Sequence, residues 1–151
     1  MIGRGLLALW LAVAAQSAGA QPLACLPDTG DSAPEGFALA ADPDRDTATV
    51  ELIADDVALW TRTGGPERGG LMAMVNCPRG RLSVLLFLPA DRVSEAVDTL
   101  RAESPGPGAE MGSQFLALKR QATRRAYDVG GAADNVSEEF GACVCAAAAN
   151  G

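Results

Sequence analysis

Leu71-Met72-Ala73-Met74-Val75-Asn76-Cys77-Pro78-Arg79-Gly80-Arg81-Leu82-Ser83-Val84-Leu85-Leu86-Phe87-Leu88 holds two apolar runs on either side of residues 76–81, a short polar stretch with Pro78 and Gly80. Strand, tight connection and strand make a β-hairpin. In the second run Leu82, Val84, Leu86 and Leu88 fall on one side of an extended chain, and Leu85 and Phe87 on the other. Side chains alternate across a strand, so one that is apolar on both sides belongs inside a sheet covered on both faces. Cys77 closes the first run, where a crosslink would tie the sheet to a distant part of the chain.

Upstream of the hairpin, residues 37–41, 48–53 and 57–61 read as short strands, with loops at 42–46 and 63–70. Val50 and Leu52 share a face, Leu59 points inward, and Trp60 takes the opposite face. Asp55-Asp56 marks a turn. Downstream, Pro89 ends the last strand and Asp91 is positioned as a helix N-cap. Val93, Ala96, Val97 and Leu100 then follow at i, i+3, i+4 and i+7, one stripe of an amphipathic helix that ends at residues 104–108. Residues 113–128 allow two readings. Phe115, Leu118, Ala122 and Ala126 make a helical stripe stopped by Gly130-Gly131, whereas 114–119 and 124–129 would fit two strands. Helix is preferred. Residues 134–142 read as a short helix with Val136 and Phe140 at i, i+4, and the small-residue tail at 147–151 is expected to fray. The fold class is therefore α+β: an antiparallel meander of four or five strands packed with one or two helices and stapled by disulfides. The alternative is a mainly-β sandwich.

Residues 1–20 have the pattern of a cleaved signal peptide. Arg4 supplies the positive start, residues 6–15 the apolar stretch, and Ala18-Gly19-Ala20 the cleavage signal before Gln21. The expected product is one periplasmic or secreted domain over 21–146 with no transmembrane segment. Removing Arg4 with the leader takes the net charge from −7 to −8. Such an acidic chain is a poor candidate for nucleic acid, since phosphate binding needs a basic face. One lysine against eleven arginines, with abundant Ala and Gly, suggests a GC-rich bacterial source and favours a periplasm. In a eukaryotic host Asn135-Val136-Ser137 would be a glycosylation sequon.

The chain contains no histidine. That removes Ser-His-Asp and Cys-His catalysis, His-ligated zinc or haem, and imidazole pH switches. An enzyme is not expected, and no cofactor is called for. Cys25, Cys77, Cys143 and Cys145 form an even set, which in an exported chain reads as two disulfides. Pairing Cys143 with Cys145 would close a very small ring, and in extended chain their side chains diverge. Cys25 and Cys77 are therefore each expected to take one of the C-terminal pair, in either order.

Several patterns carry a sharper chemistry. Cys143-x-Cys145 as free thiolates would suit thiol exchange or a soft metal such as copper, with Met72 and Met74 as thioethers on one strand face. Buried methionine is ordinarily core filler. Asp28-Thr29-Gly30 matches the aspartic-protease triplet, but Pro27 and Asp31 replace its apolar flanks. Asp42-x-Asp44-x-Asp46 opens like a calcium loop, but Thr47 and Ile53 stand where the turn glycine and the bidentate glutamate belong. Lys119, Arg120, Arg124 and Arg125 are a dense basic segment that could dock an acidic partner or an anionic ligand. Taken together, the sequence predicts a small envelope accessory or binding protein with an unidentified protein partner or small ligand. The thiol-redox or soft-metal protein is the alternative.

Overall fold

The chain is described by a computed structural model over residues 21–29, 33–77, 83–134 and 136–150. The leader at 1–20, the hairpin connection at 78–82 and the sequon residue Asn135 lie outside these residues. Strands β1 (Thr47–Ala54), β2 (Val57–Thr63), β3 (Gly70–Asn76) and β4 (Val84–Leu88) follow one another as an antiparallel meander. The central hairpin pairs Met72 with Leu86 and Gly70 with Leu88. Helices α1 (Val93–Glu103) and α2 (Gln114–Val129) then leave the sheet, and a short strand, β5 (Gly131–Ala133), returns to pair with β4. A last helix, α3 (Glu138–Ala149), ends the described chain. The described residues form an α+β fold with a five-stranded antiparallel sheet, three helices and two disulfides. Residues 114–129 form one helix, so the mainly-β sandwich does not form.

Strand alternation sorts the core into two layers. Val57 and Leu59, Met72 and Met74, and Val84, Leu86 and Leu88 point toward α1 and α2. Ala58 and Trp60, Leu71, Ala73 and Val75, and Leu85 and Phe87 point toward α3 and the N-terminal arm. Trp60 thus lies on a covered face. Its ring meets Phe140 edge-on at 5.1 Å, and its Nε1–H donates to the Pro22 carbonyl at 2.7 Å. A buried indole needs such a partner for its one donor.

On the first face, α1 buries Val93, Val97 and Leu100, as the stripe predicts. A charged group at Val97 would lie among apolar side chains without a partner. Val97→Asp is expected to cost about 3 kcal/mol of unfolding free energy, read as a lowered urea midpoint. A midpoint within error of wild type would misplace α1. Asp91 does not cap this helix. The chain enters through a 3-10 turn, Ala90–Arg92, which places Asp91 inside the turn and Arg92 at the N-cap without a side-chain bond.

Four local readings differ from expectation. Residues 37–41 are irregular, held through their carbonyls by arginine side chains rather than by a strand ladder. β5 was not foreseen, because Gly131-Ala132-Ala133 carries no strand propensity. It forms because Gly130 lets the end of α2 lie directly against β4, where a Cβ at that position would collide with the Phe87 carbonyl. Helix α3 begins later than predicted, with Ser137 as N-cap accepting the Phe140 amide at 3.2 Å. It also runs on through Ala149 with Ala147 buried, so residues 147–149 are helical where a frayed tail was expected.

Candidate functional site

The Asp55-Asp56 turn between β1 and β2 fixes where the α1–α2 pair sits. Asp55 accepts the Gly108 amide at 2.7 Å. Asp56 accepts the amides of Met111 at 2.8 Å and Gly112 at 3.2 Å. These bonds pin the interhelical connection to one end of the sheet. Toward the other end, where α1 begins and α2 finishes, the helices leave a groove over β3 and β4 of about 280 Å³.

Side-chain size explains the gap. The buried stripe of α2 tapers, with Phe115 and Leu118 in its first half and Ala122 and Ala126 in its second. Ala96 and Thr99 line the groove on α1. Large residues fill the closed end, whereas methyl groups do not reach across the open one. Met72, Leu86, Leu88 and Leu100 are left as an apolar lining. The rim is charged and mostly paired. Arg92 meets Glu95 at 3.1 Å, and Arg125 reaches Glu103 on α1 at 2.6 Å. The Glu103 hydrogen bond, together with its charge, pushes the Arg125 pKa up against the opposing effect of burial. Asp128 adds a carboxylate at the mouth. An apolar floor with a polar rim is the usual composition of a small-ligand seat.

The opposite face is covalently closed. Cys25 pairs with Cys143 and Cys77 with Cys145. Both C-terminal cysteines lie in the middle of α3, not in extended chain. On a helix, positions two apart point about 200° from each other, so these two cannot bond together. Val144 between them faces the core with Phe140 and Ala147, while the cysteines flank that stripe on either side. One reaches the arm and the other reaches the end of β3. With all four sulfurs in disulfides, the Cys143-x-Cys145 segment offers no thiolate pair in this state. Met72 and Met74 are core residues of the α1–α2 face, and Met72 also contributes to the groove floor.

The acidic loop at 42–46 resolves into an ion-pair knot. Asp46 is buried, and Arg68 grips its carboxylate through Nε and one terminal nitrogen, both at 2.7 Å. The Asp42 amide donates to the same carboxylate at 2.8 Å, and Arg62 Nε stands 3.7 Å away. Arg62 is itself buried and donates to the carbonyls of Leu39 and Ala38. Asp42 accepts the Asp44 amide at 3.0 Å, a local turn. The Arg68 hydrogen bonds hold the Asp46 carboxyl below the ordinary range, against burial, which raises it; the Asp42 amide and Arg62 charge add to the lowering. The calcium-like spacing therefore serves Asp46 as an anion for two arginines. Among the described residues no group of three acidic, cysteine or histidine side chains is arranged to hold a metal ion.

Asp28 lies exposed in the arm, and its carbonyl accepts the Ser137 amide at 3.2 Å, tying the arm to the start of α3. Gly30 of the same triplet is outside the described residues. Lys119, Arg120, Arg124 and Arg125 all lie on α2. Arg125 turns to the groove rim, whereas Lys119, Arg120 and Arg124 line the other flank. The apolar stripe of α1 is legible in the sequence but the groove is not, its available signal being the taper from Phe115 and Leu118 to Ala122 and Ala126. No helix of the described residues is long and apolar enough to cross a membrane. No family model matches this chain, and neither a curated protein nor a solved structure matches it.

Proposed function

We propose that the chain is a non-catalytic accessory domain of the bacterial envelope, periplasmic or secreted, that binds a small apolar or amphiphilic group between α1 and α2. The observation that carries this reading is the apolar floor of Met72, Leu86, Leu88 and Leu100 beneath a charged rim. A cavity of about 150 Å³ takes one benzene ring, so about 280 Å³ suits a group of roughly ten to twelve heavy atoms. The absence of histidine supports binding over acid–base catalysis. Two disulfides closing long loops suit an oxidising compartment.

Native mass spectrometry of the exported protein tests both parts. The expected polypeptide begins at Gln21, is four hydrogens lighter than its reduced form, and carries a small noncovalent adduct. Ala96→Trp, which fills the groove from the α1 side, should release that adduct without unfolding the protein. A chain retaining its first twenty residues contradicts export. An adduct that is absent, or that survives Ala96→Trp, contradicts the binding reading.

A further inference from the structure

The flank of α2 turned away from the groove is built differently. Leu116, Lys119, Arg120, Thr123, Arg124 and Tyr127 line a shallow depression closed on one side by Asp134. Lys119 is tied to Asp134 at 3.2 Å. Arg120 and Arg124, one helical turn apart, make no ion pair among the described residues, whereas Arg45, Arg62, Arg68, Arg92, Arg101 and Arg125 all do. In a chain with 19 acidic against 12 basic residues, two adjacent unpaired guanidinium groups are a local reversal of charge. The Thr123 hydroxyl, buried between them in sequence, also lacks a hydrogen-bond partner.

Exposed apolar groups bracket the pair. Leu116 is 43% exposed and Tyr127 is 65% exposed. Tyr and Arg together, with apolar neighbours, are the composition of a protein-binding hot spot. Measured along the helix from Leu116, Arg120 lies at about 6 Å, Arg124 at about 12 Å and Tyr127 at about 16 Å. An extended strand rises about 3.3 Å per residue and turns alternate side chains to one side, so its first, third and fifth residues face Leu116, Arg120 and Arg124 together. A large acidic body would be repelled by the rest of this chain, whereas a short segment meets only the reversed patch.

We propose that this flank of α2 docks a short acidic segment of another protein, with two carboxylates over Arg120 and Arg124 and an apolar residue at its start against Leu116. This surface is separate from the groove and does not depend on it.

A fluorescein-labelled peptide containing Leu-Ser-Glu-Ser-Glu, titrated into the full chain and followed by anisotropy, tests the proposal. Saturable binding is expected that weakens with salt and falls by roughly tenfold or more in Arg120→Glu/Arg124→Glu. Replacing both peptide glutamates with glutamine should do the same. Both arginines are exposed, and Arg120→Gln/Arg124→Gln provides a milder variant whose melting should match wild type. Ala96→Trp should leave peptide binding intact, which separates this surface from the groove. No binding to the wild-type chain, or equal binding by the charge-reversed variant, overturns the proposal. So does a chain that ignores the peptide but binds phosphatidylglycerol vesicles through the same arginines, which would make the patch a lipid-facing one.

Discussion

Replacing Cys77 and Cys145 together with serine is expected to remove about 4 kcal/mol of unfolding free energy, because their bond closes a 68-residue separation in the denatured chain. The Cys25–Cys143 bond, across 118 residues, contributes about as much in the same model. The effect on the folded state is local. Helix α3 has 12 residues, too few to be stable alone in water. It is held by the bond to the end of β3, the bond to the N-terminal arm, and the buried stripe of Phe140, Val144 and Ala147. In urea the double variant should show a lower midpoint and a steeper slope, since the freed denatured chain exposes more surface. Trp60 lies against Phe140 and is the only tryptophan after residue 20, so its fluorescence reports directly on α3. An unchanged midpoint would mean that α3 docks by packing alone.

The second large effect is expected at Asp46. Removing one member of a buried ion pair leaves the other uncompensated, and Arg62 is as buried as its partner. Asp46→Asn should cost on the order of 3 kcal/mol near neutral pH. The pH dependence has a definite sign. The Asp46 carboxyl is held lower when folded than in the unfolded chain, chiefly by Arg68. Its contribution is therefore present above the ordinary carboxylate pKa of about 3.9 and is lost as pH falls through the lower folded value. The wild-type advantage over Asp46→Asn should hold steady from about pH 5 to 8 and shrink below about pH 4. A difference that grows on acidification would contradict the ion-pair account.

The central hairpin was legible because alternation is a local property. Leu85 and Phe87 against Val84, Leu86 and Leu88 is a two-faced pattern whatever the rest of the chain does. The stripes of α1 and α2 were legible for the same reason. What escaped the sequence depends on contacts between distant residues. Asp42, Asp44 and Asp46 look alike in sequence, and only the approach of Arg62 and Arg68 singles out Asp46. Strand β5 exists because Gly130 lets the backbone meet β4, which no propensity at Gly131-Ala132-Ala133 announces. Placing Cys143 and Cys145 in extended chain led to the correct exclusion of their mutual pairing, but helical geometry is the reason it holds. The groove was the hardest to foresee, since it is made by the small size of Ala122 and Ala126 rather than by any reactive group.

The two faces of the sheet thus have different constraints. One is covered by a helix bonded covalently at two points, and the other by two helices joined through packing, surface ion pairs and a pinned connection. The ligand seat proposed above lies on the second. Titration of the full chain with 1-naphthol, followed by methyl and amide NMR, tests that assignment most directly. Saturable shifts are expected that are confined to Met72, Leu86, Leu88, Leu100 and their neighbours on α1 and α2 and are abolished by Ala96→Trp. Shifts centred on α3 and the arm, or none at the groove, would contradict it.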